Sequence, residues 1–197
     1  MRVISGTAKG HRLLSVPGDS TRPITDRVKT ALFDTIQFSI AGCRFLDLFG
    51  GSGGVGIEAL SRGAKEAVFV EIDRRALRTI GENLRRSGLA SGARVVRGDA
   101  FAYLRRSGLE PFDIIYVAPP QYKGLWIDAL KSIDTMPHLL FDDGQVIVQI
   151  HPKEFEAISL NHLQLVDERR YGSTLLAYWQ RFTAETNGQE EVDAPEE

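Results

Sequence analysis

Apolar and polar positions alternate in blocks from residue 44 onward, where short apolar runs are separated by segments with helical spacing. The apolar runs predict strands at 44–49, 66–71, 93–97, 112–117 and 144–150. The segments between them predict helices at 54–62, 73–87, 99–106 and 125–136. Two last runs, at 162–170 and 174–182, flank Tyr171-Gly172-Ser173 and predict a hairpin. The pattern therefore predicts an α/β fold with a mostly parallel sheet that ends in antiparallel strands.

Residues 1–43 precede this pattern and form a predicted N-terminal extension. The β-prone runs 2–5 and 11–15 flank a glycine-containing turn and predict a small hairpin, followed by a loop at 17–23. Thr25 then caps a predicted helix whose apolar positions recur at helical spacing, namely Val28, Leu32, Phe33 and Ile36. We expect this extension to be dispensable for binding a small ligand, so that a chain without residues 1–20 still binds it.

Composition narrows the class of protein. A chain of 197 residues with 43% hydrophobic residues predicts one domain, at 44–183, beside the extension. No apolar run is long enough to span a membrane, and the first residues lack the apolar block of a signal peptide. The single cysteine, Cys43, is expected to be a small buried hydrophobe, which is compatible with a reducing cytoplasm. The four histidines have no ligand spacing, so no metal site is expected.

The net charge of −2 conceals an uneven distribution. The segment 184–197 carries six acidic residues, no basic residue and few large apolar side chains, which predicts a disordered acidic tail. Residues 1–29 carry six basic and two acidic residues. This end of the molecule is a candidate for phosphate contacts, although a solvated basic face would have the same composition.

The segment Asp47–Glu58 is the strongest chemical signal in the chain. A glycine cluster follows a predicted strand and opens into a helix, and Gly51, Gly53 and Gly56 match the dinucleotide-binding spacing. Glycines allow the backbone to approach a ligand, and the helix directs free N–H groups at it. Glu71 lies 20 residues beyond Gly51, where an acid that binds ribose is expected.

Two further features follow the next predicted strands. Asp99, in Gly98-Asp99-Ala100, can accept a hydrogen bond from an adenine amino group. After the fourth strand comes Ala118-Pro119-Pro120-Gln121-Tyr122, a rigid turn whose prolines offer carbonyl acceptors but no N–H donors. Amino-group methyltransferases place such a turn there, whereas a nicotinamide oxidoreductase has no common reason to do so. The order of features indicates a class I S-adenosylmethionine-dependent, Rossmann-like methyltransferase.

At this level of detail the chain resembles the bacterial small-subunit rRNA guanine-N2 methyltransferases of the RsmD type. The resemblance covers about residues 1–182 and is carried by Thr21–Phe33, Asp47–Glu58, the Pro-Pro turn and the Tyr171-Gly172 hairpin. It implies a seven-stranded class I fold, S-adenosyl-L-methionine as methyl donor, and guanine N2 of small-subunit rRNA as acceptor. It also implies a cytoplasmic protein, expected to be a monomer, whose partner is rRNA or an assembling small ribosomal subunit.

The resemblance assigns roles to positions in this chain. The cofactor site comprises Asp47, Gly50, Gly51, Ser52, Gly53, Glu71, Ile72, Asp99 and Ala100, with Asp47 and the glycines at the methionine end. The extension is the RNA-binding part, with candidate phosphate contacts from Arg2, Lys9, Arg12, Arg22, Arg27 and Lys29. The catalytic turn comprises Ala118, Pro119, Pro120 and Tyr122.

The turn departs from the family pattern at two positions. The family has an acidic or amide residue where this chain has Ala118, and an aromatic residue where it has Gln121. Three hypotheses remain open. The enzyme uses the Pro119 carbonyl alone with Tyr122 or Tyr116 stacked on the base, or it acts on a different acceptor, or it is a non-catalytic relative that binds RNA and cofactor.

Overall fold

In a computed structural model, which describes residues 1–18 and 24–182, seven strands form one mixed sheet in the order β3-β2-β1-β4-β5-β7-β6. The strands are β1 (Arg44–Asp47), β2 (Glu66–Glu71), β3 (Ala93–Arg97), β4 (Phe112–Val117), β5 (Leu140–Ile150), β6 (Leu163–Tyr171) and β7 (Thr174–Arg181). Neighbours from β3 to β5 are parallel, whereas β7 is antiparallel to both β5 and β6. The predicted α/β sheet with an antiparallel hairpin is confirmed.

Within the residues that the structure describes, five α-helices cover the two faces of the sheet. They are α1 (Asp26–Thr35), α2 (Gly54–Ser61), α3 (Arg74–Ser87), α4 (Ala100–Leu104) and α5 (Leu125–Asp134). Apolar side chains of α1, α2 and α3 pack on one face, and those of α4 and α5 pack on the other. Thr25, Asp73 and Asp99 cap α1, α3 and α4 by accepting backbone N–H groups. None of the helices in the described ranges is both long and apolar enough to cross a membrane.

Two strand boundaries differ from the predicted ones by two or more residues. Strand β1 ends at Asp47, two residues early, because the backbone turns there into the glycine loop. Strand β5 begins at Leu140, four residues before the predicted start, and contains the polar segment Asp142-Asp143-Gly144. The β4–β5 register shifts between Phe112 and Ile114, so the polar segment lies in an irregularity within the ladder.

The N-terminal extension packs on the main sheet domain as part of the same core. Its predicted hairpin is reduced to one antiparallel bridge between Arg2 and Arg12. Val3, Ala8 and Leu13 are buried in the cluster that contains α1, α2 and α3. At Gly6 (φ +82°) a Cβ atom would lie 1.7 Å from the Ser61 carbonyl oxygen, so only glycine permits this approach to α2.

A buried ion pair joins the extension to α1 and α2. The side chains of Lys29 and Glu58 are both 0% exposed, and Lys29 Nζ lies 3.1 Å from Glu58 Oε2. The Glu58 carboxylate also accepts the backbone N–H groups of Ile4 and Ser5 at 2.8 and 2.9 Å. Lys29 donates in addition to the carbonyl of Arg2 at 2.5 Å. One ion pair therefore fixes the path of residues 2–5.

The prediction that Lys29 contacts phosphates is wrong, because this side chain is enclosed in the core. Burial lowers the pKa of Lys29, and the adjacent Glu58 carboxylate partly opposes that shift. The sequence does contain a signal, since Lys29 precedes Phe33 by one helical turn and so lies on the apolar stripe of α1. Glu58 is the one charged residue of the apolar helix segment GVGIEALS, and a buried charge there requires a counter-ion such as Lys29.

Arg22 and the tail at 184–197 lie outside the described residues. The same is true of most of the predicted loop at 17–23.

Candidate functional site

A cavity of about 1040 Å³ opens at the carboxyl ends of the parallel strands. The glycine loop, the end of β2, the Asp99 segment and the Pro-Pro turn all line it. Its lining includes these predicted site residues: Asp47, Gly50, Gly51, Ser52, Glu71, Ile72, Asp99, Ala100, Ala118, Pro119 and Pro120. Open α/β sheets bind ligands at this edge. The fold therefore brings together residues from four separate sequence segments.

The glycine loop is held in shape by Glu71. Its carboxylate accepts the N–H of Gly51 at 2.7 Å and the N–H groups of Ile72 and Asp73, each at 2.8 Å. Gly53 is the N-cap residue of α2. Its φ of +77° is a left-handed conformation that residues other than glycine rarely adopt. A carboxylate oxygen can accept two hydrogen bonds; Oε1 already accepts two and Oε2 one, so Glu71 retains acceptor capacity at Oε2 for one ribose hydroxyl.

Asp47 lies beneath the loop at the end of β1 and is 2% exposed. Its Oδ2 atom accepts the N–H of Gly56 at 3.2 Å. Burial raises the pKa of Asp47 to about 7; the Gly56 hydrogen bond opposes this rise, and the charge of Glu71 adds to it. A cationic group in the cavity would favour the ionised form of this carboxylate.

The residues expected around adenine lie further along the same edge. Asp99 uses Oδ1 to cap α4 through the N–H of Ala102 at 2.8 Å, and its carboxylate lines the cavity as well. Capping of α4 is thus compatible with the ligand-binding hypothesis for Asp99. Ile72 follows Glu71 and is 66% exposed, so it presents an apolar surface beside the carboxylate.

The Pro-Pro turn follows β4, the strand next to β1, and lines the same cavity as the glycine loop. Pro119 is buried, Ala118 is half-buried, and both line the cavity together with Pro120 and Gln121. Tyr122 is not among the lining residues. It has φ +59°, is 66% exposed, and its ring packs against His151 at a centroid distance of 5.7 Å. The ring proposed to stack on a base therefore lies outside the cavity.

Sequence reasoning missed Gln149 as a lining residue and considered Tyr116 only for stacking. The Tyr116 hydroxyl donates to Gln149 Oε1 at 2.6 Å, and both residues line the cavity. Tyr116 is 2% exposed, and its ring is enclosed beside Phe45, so its face is not available for stacking. A polar residue at the end of the apolar run VIVQI in β5 is a signal that points to Gln149.

The extension also contributes to the cavity. Met1, Ser15, Val16 and Ile24 line it, and Met1 Sδ lies 3.9 Å from the Ser52 hydroxyl oxygen. No property of the sequence pattern indicates a role for Met1. Part of the cavity wall therefore belongs to residues 1–20, which argues against the expectation that they are dispensable for ligand binding.

The remaining candidate phosphate contacts are on the surface. Lys9, Arg12 and Arg27 are exposed, and Arg2 is exposed while paired with Asp26 at 3.0 Å.

Comparison with solved structures identifies the fold. The protein SMU.776, in complex with S-adenosylhomocysteine, is 19% identical and has a TM-score of 0.63 over 78% of this chain and 48% of its own. A Salinibacter ruber RNA methyltransferase, in complex with the same compound, is 14% identical and has a TM-score of 0.61 over 81% of this chain and 94% of its own. The chain has the class I S-adenosylmethionine-dependent methyltransferase fold.

Sequence comparison is more specific. The model of the family "Conserved hypothetical protein 95" matches residues 1–180. YlbH of Bacillus subtilis (strain 168), a proposed rRNA methyltransferase, is 39% identical over 92% of this chain and 99% of its own length. Ribosomal RNA small subunit methyltransferase D of Escherichia coli (strain K12) is 36% identical over 68% of this chain and 67% of its own length. The chain belongs to this family of RsmD-like rRNA methyltransferases, which confirms the resemblance.

A solved member gives the same result at the level of structure. The Escherichia coli protein yhhF, a proposed methyltransferase, has a TM-score of 0.80 and 33% identity, covering 92% of this chain and 97% of that one.

Proposed function

We propose that this protein transfers the methyl group of S-adenosylmethionine to the exocyclic N2 of a guanine in small-subunit rRNA. The observation that carries the proposal is a single cavity that joins a glycine loop with two acidic strand ends on one side and a Pro-Pro turn on the other. The cofactor itself supplies an electrophilic methyl group on sulfur. The turn supplies acceptors that hold an amine in front of it.

The residues present suit this cofactor. Glu71 offers an acceptor for a ribose hydroxyl, Asp99 an acceptor for the adenine amine, and Ile72 an apolar surface for the adenine ring. Asp47 and the N–H groups at the start of α2 face the polar methionine end. This assignment repeats the one made from the sequence and adds Met1, Val16 and Ile24 as apolar lining.

The turn acts by orientation. Pro119 has no N–H, so the backbone at this turn offers its carbonyls as acceptors, and an amine held by a carbonyl directs its lone pair away from its N–H bonds. The nitrogen forms its bond to the methyl carbon as the carbon–sulfur bond breaks, with that electron pair left on sulfur. The methylated nitrogen then loses one proton to solvent.

The partner proposed for the exposed basic surface is the phosphate backbone of rRNA. Lys9, Arg12 and Arg27 remain candidate contacts after Lys29 is excluded. A second basic region lies at the sheet edge formed by β3, with α3 on one face and α4 on the other. Residues 72–108, which contain these elements, include nine arginines and three acidic residues. Six of these arginines are exposed and form no ion pair with another described residue: Arg74, Arg78, Arg94, Arg97, Arg105 and Arg106. Such clustering is what phosphate neutralisation requires.

A second candidate function is binding of cofactor and RNA without methyl transfer. Ala118 supports it, because an acidic or amide residue in this turn can accept a hydrogen bond from the amine, whereas alanine cannot. Loss of one such hydrogen bond in the transition state costs about 2–4 kcal/mol, which slows a reaction roughly 30- to 1000-fold.

Methyl transfer to isolated small-subunit particles and to deproteinised small-subunit rRNA distinguishes the two functions. With tritium-labelled S-adenosylmethionine and substrate from cells that lack this protein, we expect incorporation that nuclease digestion and chromatography assign to N2-methylguanosine. Label in another nucleoside would refute the assignment to guanine N2. No label in either RNA, with normal cofactor binding, would support the binding function.

The matched control is Glu71→Ala, which should abolish incorporation by weakening cofactor binding. Glu82→Ala, which changes a half-buried acid on α3 outside the cavity lining, should leave the rate unchanged.

A further inference from the structure

The side chain that is missing at Ala118 has a neighbour that can replace it. In the β4–β5 ladder Tyr116 pairs with Ile147 and Val117 with Val148, so Ala118 comes next to Gln149 at the carboxyl ends of both strands. Asp47 pairs with Tyr116 across β1 and β4. Gln149 follows Ile147 by two residues, and alternate residues of a strand lie on the same face. Asp47, Tyr116 and Gln149 therefore form a diagonal row on one face of three neighbouring strands.

The row divides the cavity into a cofactor side and an acceptor side. Asp47 belongs with Glu71 and Asp99 on the strands β1, β2 and β3, where the cofactor groups are expected. Gln149 lies on β5, beyond the Pro-Pro turn, on the side that remains for the methyl acceptor. All three side chains line the same cavity.

The hydrogen bond between Tyr116 and Gln149, which we call the pair, determines whether each side chain can still donate or accept. Tyr116 donates its hydroxyl proton to Gln149 Oε1 at 2.6 Å, so its oxygen can act toward any further partner only as an acceptor. Gln149 has its carbonyl engaged and retains an amide nitrogen with two donor protons. The pair therefore presents one acceptor and one donor side by side.

We propose that Tyr116 and Gln149 bind the exocyclic amine of the methyl acceptor and replace the polar side chain absent at position 118. The phenol oxygen accepts one N–H of the amine, and the Gln149 amide donates to the unprotonated ring nitrogen beside it. This arrangement selects a base in which an amine is adjacent to an acceptor nitrogen, as in the N2–N3 edge of guanine. The proposal rests on the proposed function for its reaction but not for its binding chemistry.

Because burial and the nearby carboxylate of Asp47 keep the pKa of Tyr116 well above its ordinary value, the phenol stays protonated at neutral pH. The pair thus orients the amine and does not remove its proton, which leaves to solvent after methyl transfer.

Kinetics of Tyr116→Phe and Gln149→Leu on the rRNA substrate form the first test. We expect each variant to lower kcat at least tenfold, while the S-adenosylmethionine Kd changes less than twofold. Tyr178→Phe is the matched control, because Tyr178 is an equally buried tyrosine on the same face, two strands further along the sheet and outside the cavity lining. It should retain full activity.

Rescue separates a positioning role from general damage. If the pair replaces the missing side chain, Ala118→Asn should restore most of the activity in the Tyr116→Phe background. Activity that is unaffected by both pair variants, or a Tyr116→Phe enzyme that Ala118→Asn does not rescue, would overturn the proposal.

Nucleoside binding tests the pair even if no methyl transfer is found. By saturation-transfer NMR with S-adenosylhomocysteine present, the wild type should bind guanosine more tightly than inosine, which lacks the exocyclic amine. Tyr116→Phe should abolish that preference. A wild type that is inactive on rRNA but shows the preference refutes the proposed reaction and supports the pair, whereas equal binding of both nucleosides refutes the pair.

Discussion

Replacing Glu58 by glutamine should strongly destabilise the protein, although the two side chains have nearly the same shape. The carboxylate is fully buried and receives Lys29 Nζ, two backbone N–H groups of the extension and Arg62 Nε, all within 3.1 Å. Glutamine removes the charge that compensates Lys29 and directs an NH2 group at one of these donors. Breaking a buried ion pair on one side costs about 3–5 kcal/mol.

Urea unfolding at pH 7, followed by the fluorescence of the buried Trp126 and Trp179, measures this cost. A double variant, Lys29→Met with Glu58→Gln, removes the uncompensated cation and should recover a coupling energy of about 2 kcal/mol. The matched control is Glu82→Gln, which breaks an exposed pair with Arg85 and Arg86 and should leave the free energy of unfolding nearly unchanged. A loss below about 1 kcal/mol for Glu58→Gln, or strict additivity in the double variant, would refute the reasoning.

Three further outcomes are expected. Glu71→Ala should weaken S-adenosylmethionine binding by about 1.5–3 kcal/mol in a calorimetric titration, because it removes a charged acceptor and a support of the glycine loop; unchanged affinity would contradict the ribose assignment. Asp47, whose pKa is raised to about 7, contributes stability below its ordinary pKa that is lost as the pH rises through 7. Asp47→Asn should therefore flatten the fall in melting temperature between about pH 4 and pH 7, and an unaltered profile would show that another group titrates. Deletion of residues 1–16 should abolish cofactor binding by opening the cavity wall, and retained affinity would show that this wall is dispensable.

The sheet, its antiparallel end and the cofactor side of the cavity could be predicted because each depends on local signals. Apolar runs, helix-capping residues and the glycine loop act over a few residues, so Asp47, Glu71 and Asp99 could be placed at strand ends from spacing alone. The family resemblance, by contrast, placed Lys29 among RNA contacts. The apolar stripe of α1 was visible, but the burial of Lys29 on it depends on Glu58, 29 positions away in the chain.

The acceptor side of the cavity was the less predictable half for the same reason. Gln149 reaches the site through the β4–β5 register, which includes an irregularity that strand patterning did not indicate. Tyr122 has the residue type of a stacking group, but its left-handed backbone directs it to His151. Contacts between segments far apart in the chain therefore determine where the side chains of Gln149 and Tyr122 lie.

The extension's attachment to α2 has a consequence for the order in which the chain folds. Ile4, Ser5 and Ala8 hydrogen-bond to Glu58 and Ser61, groups that are 53 or 54 residues away. During synthesis, residues 1–8 leave the ribosome before α2 does, and their partners do not exist until residue 61 has been added. Closing so long a loop carries an entropic cost that only a formed α2 can repay. These residues, made before α2, are thus fixed only after it, and the cavity wall they complete closes only once α2 has formed.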